Sequence, residues 1–508
     1  MFQQIILWIS SIPFWGYLII ILLGIGIKDI SKKRHTLQRN FPVIGHLRYL
    51  LEEFGPPIRQ YFVANNRDEL PFNRRQRAWV YASSKKENNF QGFGTDQDFN
   101  LPGYVFIKHA MLPYQLEKDH PNFSNPSYIP SQKVIGLANG RTKPYRPNSV
   151  VNISGMSYGS LSANAIAALN KGALKFGCYH NTGEGGLSPH HQHGADIILN
   201  IGTAYFGIRN EDGSFSLEKL KALITNNPQI KAIELKLSQG AKPGKGGVLP
   251  ASKITKEISE IRAIPMGQDV ISPSYHTAFS GVDGMLAFIE TLAEATGLPV
   301  GIKSAIGKLE MWEELADLML KTGKGPDFIT IDGGEGGTGA APPAFADHVS
   351  LPFVTGFTRV YKIFLGKSLT EKTVFIASGK LGLPASALMA FSLGADLINI
   401  ARETMLSIGC IQAQVCHTNR CPTGVATTNN WLQSGIDPTL KSERFYNYMK
   451  TLNKEILELT HACGYEHPSQ MSMQDIEITG GNQNETRSLF EVFGYEKQKV
   501  PFQKIQNP

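Results

Sequence analysis

Residues 5–27, IILWISSIPFWGYLIIILLGIGI, carry no charged side chain, and the pattern then breaks into a basic cluster. Twenty-three residues at about 1.5 Å each exceed a hydrocarbon core of about 30 Å. The stretch therefore predicts one transmembrane helix, starting nearer Phe14 or kinked at Pro13. Trp8, Trp15 and Tyr17 are amphipathic rings suited to an interface. A cleaved signal peptide fits less well, because no Lys or Arg precedes the run and no clear cleavage site follows it. A buried core helix is the other alternative. From about Val150 a different periodicity begins: short apolar runs, then Gly-rich turns, then helical patterns. The strands expected are 150–154, 178–181, 230–237, 269–271, 299–304, 327–331, 373–377 and 396–401. Helices are expected over 162–175, 252–262, 282–295, 310–321, 384–393 and 440–459. This alternation predicts an α/β fold, a (β/α)8 TIM barrel, whose chemistry lies in the loops after the strands. A doubly wound open sheet is the alternative.

The expected organisation is a transmembrane anchor at 1–30, an irregular segment at 31–145 and the barrel at 146–428. A helical extension follows at 429–508. Residues 40–145 are rich in Pro, Asn and Arg, but Phe62, Phe72, Trp79, Tyr81, Phe90 and Phe93 predict packing on the barrel rather than disorder.

Composition changes this picture in two places. The net charge of +7 is concentrated in Lys28, Lys32, Lys33, Arg34 and Arg39, opposed by Asp29, and in Arg74, Arg75 and Arg77. Beside an apolar span such clusters face anionic lipid and mark the cytoplasmic side, so an inner-membrane, single-pass placement is expected and nucleic acid is not. Five cysteines, three of them within 410–421, do not make a secreted disulfide framework.

Those three, Cys410, Cys416 and Cys421, are spaced C-x5-C-x4-C and followed by Pro422. Soft thiolates in such a run suit an iron–sulfur cluster, and three without a close fourth fit three irons and four sulfurs. Structural zinc favours four ligands in tighter pairs, and three unrelated buried thiols are the bland alternative. His417 reads as an ordinary neighbouring histidine rather than a ligand.

The barrel loops hold the other candidates. The first strand runs into Ser154-Gly155-Met156-Ser157-Tyr158 and the second into Asn181-Thr182-Gly183-Glu184. A carboxylate in a glycine turn is a candidate acid, base or anchor, although a solvated turn looks alike. Lys242, Lys245 and Arg262 offer cations for a carboxylate, each read alone as a surface charge. Lys303 ends a strand where a cation stabilises a reduced flavin. Two late loops, Gly336-Gly337-Thr338-Gly339 and Ser378-Gly379-Lys380, free amides for a phosphate. Together these point to flavin mononucleotide (FMN) within reach of a cluster; without G-x-G-x-x-G after a first strand, a built-in NAD domain is not expected.

Residues 150–428 resemble the FMN-binding synthase domain of glutamate synthase. The shared motifs, in order, are MSYGS, NTGEGG, KPGxGGxLP, ISP, GGTGA, SGxLG and C-x5-C-x4-CPxGVAT. The resemblance implies a (β/α)8 barrel holding FMN and a 3Fe-4S cluster, which reduces 2-iminoglutarate, formed from 2-oxoglutarate and ammonia, to L-glutamate. It implies that Cys410, Cys416 and Cys421 bind the cluster. It also implies that Met156, Ser157, Tyr158, Asn181 and Lys303 border the flavin, and that Gly336, Gly337, Thr338, Gly339 and Gly379 hold its phosphate. Glu184, Lys242 and Arg262 match family positions around 2-oxoglutarate.

Two departures bear on the substrate. The family has Gln where this chain has Val248, and its ISPPPHHD stretch reads Ile271-Ser272-Pro273-Ser274-Tyr275-His276-Thr277-Ala278 here. Met1-Phe2 followed by an apolar run does not supply the N-terminal cysteine of a glutaminase domain, so ammonia is expected from solution or a partner. Electrons are expected from ferredoxin, another flavoprotein or the membrane. The alternatives are an FMN oxidoreductase acting on another 2-oxo or 2-hydroxy acid, and a membrane-bound electron-transfer flavoprotein.

Overall fold

The computed structural model describes residues 13–31, 36–481 and 485–498. The chain divides into two compact units, Met1–Arg75 and Gln76–Pro508. In the first, a helix spans Phe14–Ser31 with its apolar side chains almost wholly exposed. Its one buried side chain, Asp29, accepts from the Val43 amide at 3.1 Å and meets His46 Nε2 at 2.8 Å. Residues 5–12 of the apolar run, Trp8 among them, and Lys32, Lys33 and Arg34 of the basic cluster lie outside the described residues.

In the second unit eight parallel strands close into a barrel in sequence order. They are β1 (Val151–Ile153), β2 (His180–Asn181), β3 (Ile197–Ile201), β4 (Ile230–Lys236), β5 (Val300–Ala305), β6 (Phe328–Asp332), β7 (Val374–Ser378) and β8 (Leu397–Ile400). Closure comes from the pairing of β8 with β1, Ile398 opposite Val151. Branched apolar residues fill the strands and are buried on both faces, as a parallel barrel sheathed by helices requires. The sheath comprises α1 (Ala163–Phe176), α2 (Leu217–Asn226), α3 (Lys256–Arg262), α4 (Gly281–Thr296), α5 (Glu310–Thr322), α6 (Pro343–His348), α7 (Phe353–Gly366) and α8 (Pro384–Ser392).

The eight-strand count holds, but one member differs from the expected set. Val270–Ile271 is not a barrel strand; it pairs antiparallel with Val248–Leu249 in a small ribbon between β4 and β5. The missing strand is β3, five residues that are all buried. Only a single 3-10 turn, Pro189–His191, falls between β2 and β3, so the strand–helix rhythm is broken there.

The segments flanking the barrel fasten onto it. Arg141 forks onto Glu290 (2.7 and 2.9 Å) and Asp327 (2.9 and 3.1 Å). After the barrel come α9 (Arg402–Ser407) and the long α10 (Pro438–Ala462), which packs along α1. Gly172 permits that approach: a Cβ there would lie 2.5 Å from the Phe445 ring. A three-stranded antiparallel sheet joins Val105–Ile107 to Ile476–Thr479 and Thr486–Ser488, so the two ends of the second unit meet.

Candidate active site at the barrel mouth

The strands are apolar except where inward positions carry polar groups, and these build the floor of the site. Glu234 on β4 is buried; it accepts from Asn181 Nδ2 and Asn200 Nδ2 on one oxygen and from Thr330 Oγ1 on the other, all at 2.8 Å. Asn181 is thus tied into the floor, and its Oδ1 receives the Gly183 amide at 3.0 Å. Lys303 Nζ reaches Ser154 Oγ at 3.4 Å and Asp332 Oδ2 at 3.6 Å. Burial works against its charge, but Asp332 and Glu234 outweigh that and hold the ammonium above the ordinary lysine range.

Above this floor sits Glu184. The turn that carries it presses against the first loop: Gly183 has φ +65°, and a Cβ there would lie 2.6 Å from the Ser157 amide. The Glu184 side chain runs between Gly202 and Gly247, either of which would strike it if it carried a Cβ. Its Oε2 accepts from Lys236 Nζ at 2.9 Å. Burial alone would raise its carboxyl, yet Lys236, with Lys242 and Arg262 behind it, pulls the group down to about 2. Glu184 therefore stands ionised at any ordinary pH. Lys236 escaped the sequence reading. The signal was present: of the three charged residues in IKAIELK, Glu234 and Lys236 stand two apart and so point to the same face, while Lys231 falls on the other.

A pocket opens beside the Glu184–Lys236 pair, with Thr203, Gln239, Lys245 and Ser274 in its wall. Lys242 and Arg262 are buried nearby but turn to backbone carbonyls. Lys242 Nζ donates to Ala340 O at 2.8 Å, and Arg262 Nη2 donates to Tyr158 O at 2.6 Å and Ser157 Oγ at 3.3 Å. Burial lowers both, Arg262 to about 10, with Glu184 opposing the shift in each case. Val248 sits in the ribbon, opposite Ile271.

Of the residues expected around a planar cofactor, Met156, Ser157 and Tyr158 are buried together in the first loop. Tyr158 directs its hydroxyl at Glu257 Oε2, 2.5 Å away, and Glu257 also meets His190 Nε2 at 3.0 Å. On the late-strand side, Gly379 has φ +143°, which only glycine adopts easily, and its position against Phe353 and Gly333 leaves little room for a side chain. Gly336 closes a turn on Gly333, and Thr338 Oγ1 accepts from Gln239 Nε2 at 3.1 Å. Gly337 lies against the Arg402 side chain, and Gly339 faces Ser160. Arg402 donates to Glu335 O, and Lys380 shares the same field of charges. These two cations beside consecutive glycine amides fit a phosphate monoester. Arg402 was not a sequence candidate, and Lys380 entered only as part of its glycine loop, since a lone Lys or Arg beside a turn reads as surface charge.

The three cysteines of the 410–421 loop line one further pocket, together with Met405, Ile411, Val415, Val425 and Ala426. Tyr81 donates to Cys410 O at 2.8 Å. Burial pushes the Cys410 thiol up to about 12 and raises Cys416 as well. Among the described residues no three His, Cys, Asp or Glu side chains converge closely enough to hold one metal ion. Three soft donors on one apolar pocket are the donor set an iron–sulfur centre takes.

A family model described as a conserved region in glutamate synthase matches residues 120–466, well over half of the chain. The glutamate synthase large subunit-like protein YerD of Bacillus subtilis is 40% identical over 492 residues, covering 90% of this chain and 92% of that protein. The archaeal glutamate synthase [NADPH] of Methanocaldococcus jannaschii is 34% identical over 343 residues, 67% of this chain but only 62% of that protein's length. Among solved structures, a flavocytochrome b2 double mutant with pyruvate bound aligns at a TM-score of 0.44 and 11% identity, over 95% of this chain and 99% of that one.

Proposed function

The chain belongs to the glutamate synthase family, and from that premise we propose that it makes L-glutamate by reductive amination of 2-oxoglutarate, using external ammonia and an external electron donor. It is an oxidoreductase of the class acting on CH–NH2 donors. The observation that carries the reading is the ionised Glu184 paired to Lys236 on the wall of a cavity that Lys245 also lines. A dicarboxylate needs cations at its ends, and Lys236 and Lys245 present them there. Glu184 cannot donate a proton near neutrality, so it serves as an acceptor that orients ammonia toward the 2-oxo carbon. Arg262 and Lys242 brace the first and sixth loops through their carbonyls.

FMN fits the mouth: Met156 and Ser157 would border its ring with Lys303 beneath, and Gly337, Gly339, Gly379, Lys380 and Arg402 would surround its phosphate. When bound it supplies a hydride to the imine carbon. A 3Fe-4S cluster on Cys410, Cys416 and Cys421 would supply single electrons from a ferredoxin or flavoprotein. The helix Phe14–Ser31, with a mean hydropathy of 1.6, is proposed as an anchor in the inner membrane with the barrel on the cytoplasmic side.

One observation favours a second substrate. Val248 stands where the family has Gln, and Ser274, which lines the cavity, belongs to the other altered stretch. Another 2-oxo or 2-hydroxy acid is the reading this supports. A screen of 2-oxo acids by reoxidation of reduced flavin, run on wild type and Val248→Gln, separates the two. If 2-oxoglutarate is the substrate, the added amide should lower its KM by roughly tenfold, one charge-assisted hydrogen bond being worth about 1.5–3 kcal/mol. If a different acid reoxidises the wild type fastest and the variant loses that preference, glutamate formation is the wrong assignment.

A further inference from the structure

We propose that Lys253 sets the reduction potential of the iron–sulfur centre, its buried positive charge favouring the more negative, reduced state. The inference rests on the reading of Cys410, Cys416 and Cys421 as cluster ligands. Lys253 closes the 3-10 turn Ala251–Lys253, just after the ribbon strand Val248–Leu249. It is 2% exposed, which is rare for a lysine. Its Nζ donates to Ser160 O at 3.1 Å, and among the described residues no carboxylate pairs with it. A buried ammonium without a counter-charge is costly, so one is expected nearby.

The turn is fastened to the cysteine loop. Asn419, between Cys416 and Cys421, donates its Nδ2 to Ser252 O at 2.7 Å. Asn419 is itself held, its Oδ1 receiving the Thr428 amide at 2.8 Å and Thr427 Oγ1 at 2.9 Å. Lys253 is therefore carried on a turn that is hydrogen-bonded to the loop holding Cys416 and Cys421. Burial pulls its ammonium down to about 8. Three thiolates and four sulfides outweigh the charge of three irons, so such a centre is anionic and becomes more so on gaining an electron. A buried cation held on the turn next to the cysteine loop would stabilise that added charge.

The test is an anaerobic redox titration of the cluster, followed by electron paramagnetic resonance, in wild type, Lys253→Met, Lys253→Gln and Lys253→Arg. In the two neutral variants the midpoint should fall. At the wild-type midpoint the reduced-to-oxidised ratio should drop about tenfold, which for one electron is about 59 mV. Lys253→Arg should stay at the wild-type midpoint. A neutral variant with the wild-type midpoint overturns the proposal, and so does an arginine variant that falls as far as the neutral ones. If neither neutral variant retains iron, the arginine variant decides: wild-type iron and midpoint support the role of charge, and loss of iron there too makes the lysine merely structural. Wild-type protein without any iron would remove the cluster reading itself, and this inference with it, before any variant is made.

Discussion

Glu184→Gln is expected to lower kcat by about 10²–10³-fold, the range of one preorganised electrostatic contact, with flavin and iron contents unchanged. The amide keeps the shape of the carboxylate and still offers Lys236 Nζ an oxygen in place of the 2.9 Å contact. What is lost is the negative charge. Held at about 2, that charge is present throughout the working pH range, so Glu184 should contribute no ionisation to the pH–rate profile. Its effect on stability has a definite sign. A depressed carboxyl stabilises the fold above its unfolded pKa of about 4.3, and that contribution disappears as the pH falls towards 2. Steady-state kinetics with thermal melts at pH 7 and pH 3 check both parts. A glutamine variant as fast as wild type would remove Glu184 from the chemistry.

Cys421→Ser should abolish turnover with the external donor and reduce bound iron to background. Cys421 is the buried one of the three, its Sγ 3.6 Å from Thr423 Oγ1, and a serine hydroxyl is too hard a donor to replace a thiolate on iron. Flavin content should survive, because the glycine loops proposed for its phosphate follow β6 and β7 and are built without this residue. Reduction of the flavin by a chemical reductant should therefore still allow product to form. Iron analysis, absorbance spectra and the two assays side by side make the comparison. Full iron with donor-driven turnover in the variant would exclude the cluster assignment.

Much of the barrel was legible because its strands are short, apolar and bounded by glycine, and its helices end in recognisable caps. Ser162 on Ala165 and Thr255 on Ile258 are examples of hydroxyls receiving the amide three residues on. Strand β3 was missed because a 3-10 turn replaces the helix that the strand–helix rhythm would put before it, and 269–271, a short turn-bounded run around Val270 and Ile271, took its place in the count. Periodicity cannot tell a two-residue ribbon from a barrel strand; only pairing can. Among the site residues, Glu184 and Lys303 were recognisable from their glycine turn and strand end. Lys236 and Lys253 were not, since burial of a lysine depends on which segments fold over it. The orientation of Lys242 and Arg262 toward carbonyls was equally out of reach of sequence, which gives a residue's address but not its rotamer.

Anaerobic stopped-flow mixing of the photoreduced protein with 2-oxoglutarate and ammonium, read at the flavin absorbance and by assay of the products, tests the glutamate assignment most directly. Rapid flavin reoxidation that requires both reagents, with one L-glutamate formed per flavin, is the expected result. A flavin that stays reduced in the presence of both, or protein that carries no flavin to reduce, would contradict it.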